Sequence, residues 1–138
     1  GFACHRSEVS GRRVWAWARS AFGTPKRFFS RFLVFNYCPL LFLDASGRNL
    51  TPDKLKVAVR NPLQGACDAA LLRAVHLLKP DHVIGIGRYA ETQIVRALDG
   101  LSLQTGCITH PSPANPKANR GWEAAITEEF ARMGIVFE

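Results

Sequence analysis

Short apolar, β-prone runs alternate along this chain with longer segments of helical periodicity, and that alternation restricts the fold more than any other feature. Phe32–Phe42 (FLVFNYCPLLF), His82–Ile86 and Gly106–Thr109 read as strands, the first as a buried one. Leu63–Leu78 repeats Leu, Ala and Val on one face and stops before Pro80. Arg88–Leu98 reads as a helix, and Asn119–Met133 as an amphipathic helix closed by Gly134 in the C′ position. This order predicts an α/β fold, a parallel sheet with flanking helices joined by right-handed crossovers. Ligands in such folds sit just beyond the carboxyl ends of strands. That rule selects Asn36–Pro39, Gly85–Ala90 and His110–Gly121. Upstream, Ser7 and Ser10 precede a helical run through Val14, Trp17, Ala18 and Phe22 that Gly23 stops, and a second short helix begins at Pro25. The stretch SGRNLTP reads as a loop, with Thr51 as N-cap and Pro52 as the first helical residue.

Composition narrows the class. The 138 residues are 47% hydrophobic and 21% charged, enough for one domain, 1–138, whose core needs neither metal nor disulfide. No apolar run approaches the roughly 20 residues that span a bilayer, so no membrane partner is expected. Cys4, Cys38, Cys67 and Cys107 lie far apart, without zinc-site spacing. With no leader at the start of the sequence, an intracellular protein with free thiols is the simplest expectation, nuclear in a eukaryote and cytoplasmic in a bacterium.

The net charge of +7 is uneven. Residues 1–31 hold seven cations against Glu8 alone, Arg48–Arg60 holds four against Asp53, and His110–Gly121 has Lys117 and Arg120 with no acid. A basic surface of this kind suits a phosphate backbone, and equally an anionic membrane or simple solubility.

Three motifs carry possible chemistry. Gly85-Ile86-Gly87-Arg88-Tyr89-Ala90 matches G-x-G-x-x-[GA], but the next strand ends at Thr109-His110 without the acid that a dinucleotide site needs for the ribose. Its glycines then serve a tight turn and close helix–strand packing. Asn36 interrupts an apolar strand. Either it pairs with backbone near Cys38-Pro39, or its amide meets a donor–acceptor edge such as that of uracil, whose pattern cytosine reverses. In His110-Pro111-Ser112-Pro113-Ala114-Asn115-Pro116-Lys117, three prolines within six residues make a stiff projection. It is either an ordinary turn with a locally bonded histidine or a wedge between bases, with Lys117, Arg120 and helix-start N–H groups facing phosphates.

Four segments, GFACHRSEVSGRR, FNYCPLLFLDASGRNLTP, VIGIGRYAE and HPSPANPKANRGWE, resemble in order the carboxyl-terminal half of the single-strand-selective monofunctional uracil-DNA glycosylases. The resemblance covers essentially the whole chain, and the His-Pro-Ser-Pro loop is its most specific part. It implies a three-layer α/β/α fold and a base-excision-repair enzyme, monomeric and free of metal and cofactor. Such enzymes remove uracil and oxidised 5-substituted uracils from single- and double-stranded DNA, leaving an abasic site. Residue by residue, Asn36 matches the asparagine that reads the uracil edge. His110 matches the histidine that donates to uracil O2 as the base leaves. Ser112, Pro113, Ala114, Asn115, Lys117, Asn119, Arg120 and Gly121 match the wedge. Ser46, Gly47, Arg48, Asn49, Thr51, Lys54, Lys56 and Arg60 match a DNA-contacting stretch.

Two departures accompany the match. Ala114 stands where the family commonly has arginine. The family's G-M-N-P-G motif, with its water-positioning asparagine and central first strand, has no counterpart here, so the chain is expected to lack that strand and to need an upstream half for activity. A non-catalytic nucleic-acid-binding module with the same wedge and basic face is the alternative, and a nucleotide-binding enzyme using Gly85–Ala90 is a third.

Overall fold

A computed structural model describes residues 8–137. Helix α1 (Val9–Phe22) opens on Glu8, whose carboxylate accepts the N–H groups of Ser10, at 2.8 Å, and Gly11. The cap is therefore Glu8, because Ser10 is already helical and its N–H is among those needing an acceptor. Ser7 lies outside the described residues. Gly23 ends α1 at φ +71°, donating to the Arg19 carbonyl at 2.9 Å. Helix α2 (Pro25–Phe29) follows, with the Thr24 hydroxyl accepting the Arg27 N–H.

The expected buried strand at Phe32–Phe42 does not form. A strand needs a neighbour to take its backbone groups, and 32–41 finds none among the described residues, leaving Leu33, Val34 and Phe35 exposed, Leu33 at 61%. Only its end pairs: β1 (Phe42–Leu43) makes a two-residue antiparallel ladder with β2 (Asn49–Leu50). Asp44 closes the intervening turn by accepting the N–H groups of Ser46 (2.8 Å) and Arg48 (2.9 Å). A helix does begin at Pro52 with Thr51 in the N-cap position, but it is short. Pro52–Lys54 is one 3₁₀ turn, and the Thr51 hydroxyl bonds to Asp53 instead of capping backbone. Helix α3 (Val57–Leu78) then runs through Pro62 without stopping.

The parallel sheet consists, among the described residues, of β3 (His82–Ile86) and β4 (Gln104–Ile108), paired from His82 with Gln104 to Ile86 with Ile108. Helix α4 (Arg88–Ala97) makes the crossover. A Cβ on Gly85 would lie 2.5 Å from the Glu91 backbone nitrogen, so this glycine lets α4 lie directly on the strand. A separate short helix, α5 (Pro116–Asn119), precedes the final helix, α6 (Trp122–Arg132), which starts after Asn119 because Gly121 has a φ of +134° that no helix accommodates. Gly134 does take the C′ position, at φ +74°, and Ile135 donates to the Phe130 carbonyl at 2.9 Å.

Two cores hold these elements. In one, Trp17 and Phe22 of α1, Phe28 of α2, Ile108 of β4 and Trp122, Ile126 and Phe130 of α6 are buried together. Trp17 stacks on Phe130 with centroids 5.5 Å apart and meets Phe22 and Phe28 edge-on. In the other, Leu71 and Val75 of α3 pack with Ile94 and Leu98, against Val83 of β3. Such aromatic pairs add about 0.5–1.5 kcal/mol beyond area burial. Trp17→Ala is expected to lower unfolding free energy by about 3–5 kcal/mol, read as a shift in urea midpoint with an unchanged slope; a smaller loss than 1 kcal/mol would mean α1 is not part of this core.

Candidate functional site

Because β3 and β4 are parallel and end level, at Ile86 and Ile108, their following residues emerge side by side. The Gly87 N–H donates to the Ile108 carbonyl at 2.8 Å. Gly87 has φ +89°, and a Cβ there would lie 2.9 Å from the His110 Cβ. The histidine thus rests on a surface only glycine provides. His110, Asn115 and Lys117 line an open depression of about 400 Å³ with Gly87, Arg88, Cys107, Ile108, Thr109 and Glu129.

His110 is exposed, and its Nδ1 accepts the Ser112 N–H at 3.1 Å. A backbone N–H can only donate, so neutral imidazole must carry its proton on Nε2. The histidine therefore presents a donor. The loop beyond it is bonded internally: Asn115 Nδ2 donates to the His110 carbonyl (3.0 Å), its Oδ1 accepts the Lys117 N–H (3.1 Å), the Ser112 Oγ accepts the Ala114 N–H (3.2 Å) and Asn119 Nδ2 donates to the Pro113 carbonyl (2.8 Å). Pro111 and Ala118 are buried, whereas Pro113, Ala114, Lys117, Arg120 and Gly121 are exposed.

Three groups that sequence reasoning missed fix this loop. Glu129 on α6 accepts from the Thr109 N–H (2.6 Å) and hydroxyl (2.8 Å), and from Lys117 Nζ (2.5 Å). Burial alone would raise the Glu129 carboxyl, but Lys117 and the two Thr109 bonds bring it below the usual glutamate range. Trp122 Nε1 donates to the Thr109 carbonyl at 2.6 Å. Arg13 on α1 reaches the loop's other side, donating through Nη1 to the Pro111 carbonyl (2.8 Å) and through Nη2 to Asn119 Oδ1 (2.9 Å). Glu8 is held low mainly by the Gly11 and Ser10 N–H groups, with a smaller contribution from nearby His110.

Asn36 is exposed in the irregular 32–41 segment and is not part of the His110 depression. Its neighbours Tyr37 and Cys38 line a separate hollow of about 330 Å³ with Pro52, Asp53, Arg60, Cys67 and Tyr89. Tyr37 is anchored there: its hydroxyl donates to Asp68 Oδ1 at 2.7 Å, which also accepts from Arg96 Nη2 at 2.7 Å. Burial first, then this bond, pushes the Tyr37 hydroxyl far above the usual tyrosine range. Burial and the neighbouring Cys38 thiol push the Cys67 thiol up to about 11, so neither group is a nucleophile at neutral pH. Of the other expected contacts, Ser46, Gly47, Arg48 and Asn49 stand exposed on the β1–β2 hairpin, with Arg48 Nε on Asp44 at 3.1 Å. Thr51, Lys54 and Lys56 are also exposed, while Arg60 is half-buried and turns to the Asp53 carbonyl at 3.3 Å.

No protein-family model matches the chain. Among curated proteins, it is 48% identical over 138 residues to the single-strand selective monofunctional uracil-DNA glycosylase of Rattus norvegicus, covering 99% of this chain and 50% of that protein. The proteins of the same name from Mus musculus (48% identical, 50% covered) and Bos taurus (46%, 51% covered) match over the same length. Identity of this extent makes the chain similar to one half of a uracil-DNA glycosylase. More narrowly, the similarity is to the single-strand selective monofunctional proteins, and the chain spans about half the length of these relatives.

Two outcomes follow from the geometry. Glu129→Gln is expected to cost about 1.5–3 kcal/mol at pH 7, through hydrogen bonds to a charged acceptor. Since a lowered carboxyl stabilises above its unfolded value near ~4.3 and loses that contribution as pH falls through the folded one, the variant's melting temperature is expected to fall less on acidification than the wild type's; equal slopes would remove Glu129 as the anchor. Gly87→Ala is expected to cost about 1–3 kcal/mol in thermal melts, from positive φ and the His110 contact together, and to shift the His110 ring resonances; an unshifted ring would contradict the contact.

Proposed function

We propose that this chain carries the base-releasing half of a glycosylase that flips uracil out of DNA and hydrolyses its N-glycosidic bond, leaving an abasic site. The observation that carries the proposal is the Ser112 N–H bond to His110 Nδ1, which commits Nε2–H to donation at the mouth of the depression. As the bond breaks, its electron pair moves onto the base and localises partly on O2, while positive charge grows on the sugar. A fixed donor 2.7–3.1 Å from that oxygen contributes about 2.7–4 kcal/mol to the barrier. Water then adds to the sugar carbon, and the proton it loses passes, through solvent, to the departed base anion, so that the products are the abasic sugar and neutral uracil. Neither metal nor cofactor is needed for this step.

Asn36 is the proposed reader: its amide carbonyl accepts uracil N3–H and its NH₂ donates to O4, a pattern cytosine inverts. Pro113 and Ala114, on the exposed crown, enter the stack, and Asn115, Asn119 and Gly121 shape it. Ser112, Lys117 and Arg120 face phosphates beside it. Ser46 to Asn49, Thr51, Lys54, Lys56 and Arg60 follow the backbone further along. An alanine at the wedge in place of arginine favours single strands, where no partner base has to be displaced, over duplex. Oxidised 5-substituted uracils are proposed as further substrates, the protein acting as an intracellular monomer.

The remaining half of the family's length is proposed to supply a strand between the 32–36 segment and the outer edge of β3, completing a three-layer α/β/α domain. The exposed Leu33, Val34 and Phe35 support that reading, being apolar side chains in an unpaired run. The same half would bring the water-positioning asparagine and bring Asn36 towards His110.

The test is uracil release from a single-stranded oligonucleotide by this chain joined to the other half of a mammalian relative, with alkaline cleavage marking abasic sites. His110→Ala is expected to lower the rate about 10²–10³-fold. Wild-type rate in the variant would remove His110 from the mechanism, and salt-sensitive binding without release from any uracil strand would leave only a nucleic-acid-binding module.

A further inference from the structure

Arg13 lies in the basic amino-terminal stretch, yet its guanidinium faces inward. It is half-buried, with Nη1 on the carbonyls of Pro111 (2.8 Å) and Ser112 (3.4 Å) and Nη2 on Asn119 Oδ1 (2.9 Å). A guanidinium committed to three acceptors across its planar fork is built for holding, not for meeting a mobile phosphate. Its contact with Pro111 has a specific chemical meaning. The Pro111 carbonyl and the Ser112 N–H belong to one peptide unit, and no peptide bond among the described residues is cis. In a trans unit these groups point in opposite directions. The same plane that accepts from Arg13 on one side therefore donates to His110 Nδ1, at 3.1 Å, on the other.

We infer that Arg13 is a positioning residue that sets the tautomer and orientation of His110 through the Pro111–Ser112 peptide. The cation fixes the plane of that peptide and polarises it, strengthening donation by the Ser112 N–H, since hydrogen bonds in series reinforce one another. The stronger that donation, the more firmly the ring proton is confined to Nε2. The charged neighbours of His110 do not supply this constraint. Glu8 lies close enough to interact with it, and Arg88, Lys117 and Glu129 line the same depression. None of them is bonded to Nδ1, which already accepts from Ser112.

The inference rests on the glycosylase reading only for its kinetic consequence, so its primary test is spectroscopic. Two-bond ¹H–¹⁵N correlation spectra of His110 are recorded in this chain, wild type against Arg13→Ala and Arg13→Lys, at a pH where the ring is neutral. Wild type is expected to show one tautomer, Nδ1 as acceptor and Nε2 protonated. Arg13→Ala is expected to show averaged nitrogen shifts from a mixture, and Arg13→Lys, with a point cation in place of the fork, values between. Unchanged shifts in Arg13→Ala would overturn the inference; so would loss of the pattern in both variants together with the wild-type β3–β4 resonances, which would mean general unfolding.

The kinetic arm uses the joined protein described above. Arg13→Ala is expected to lower uracil release about tenfold or more, and to have no further effect in a His110→Ala background, because an effect routed through His110 vanishes with it. An equal loss in both backgrounds would overturn the inference. Absence of uracil release by wild type would count against the glycosylase reading alone, while the spectra still decide the role of Arg13.

Discussion

The pairing of β3 with β4 governs everything at the site. Parallel strands with matched ends bring Gly87 and His110 out of the sheet as neighbours, and the Gly87 N–H bond to Ile108 extends the ladder by one step to hold them so. The crossover helix α4 then has to leave beneath the histidine, which is possible because Gly85 lets its backbone lie on the strand and Gly87 offers no side chain. Two glycines that resemble a dinucleotide fingerprint thus serve to clear space. A residue with a Cβ at either place would push the helix or the histidine out of line.

Around that pair the loop is fastened by three side chains on two helices. Glu129 and Trp122 hold the Thr109 end from α6, and Arg13 holds the Pro111–Asn119 side from α1. Both helices meet in the aromatic core, where Trp17 stacks on Phe130. The position of the histidine is therefore coupled to the core packing, although the ring itself is exposed. Prolines limit the loop's own freedom, and the helices decide where it stands.

Much of this was legible in the sequence, and the failures share a cause. Strand β3, the helix after it, the Gly23 and Gly134 stops and the short helix at Pro25 all rest on local patterns and form as read, while β4 forms two residues early, from Gln104 to Ile108. The His110 loop was also visible, because three prolines and a strand end are local signals. Phe32–Phe42 was misread because apolar content alone suggests a strand, whereas a strand also requires a partner, which 32–41 lacks among the described residues. The final helix begins at Trp122 and not at Asn119: its periodicity does not reveal the positive-φ glycine that precedes it. Glu129 and Arg13 carry no legible signal: one lies within an amphipathic helix and the other within a charge run, and their partners lie 20 and 98 positions away.

The bond from the Trp122 indole to the Thr109 carbonyl has an optical consequence. The chain has three tryptophans: Trp15 is largely exposed, Trp17 is stacked within the core, and Trp122 is buried with its N–H on the backbone immediately before His110. Indole emission depends on the polarity and hydrogen bonding around that nitrogen. The protein's own fluorescence therefore carries a reporter bonded to Thr109, at the strand end that bears the histidine, and a displacement of that strand end is expected to register in its colour without any added label.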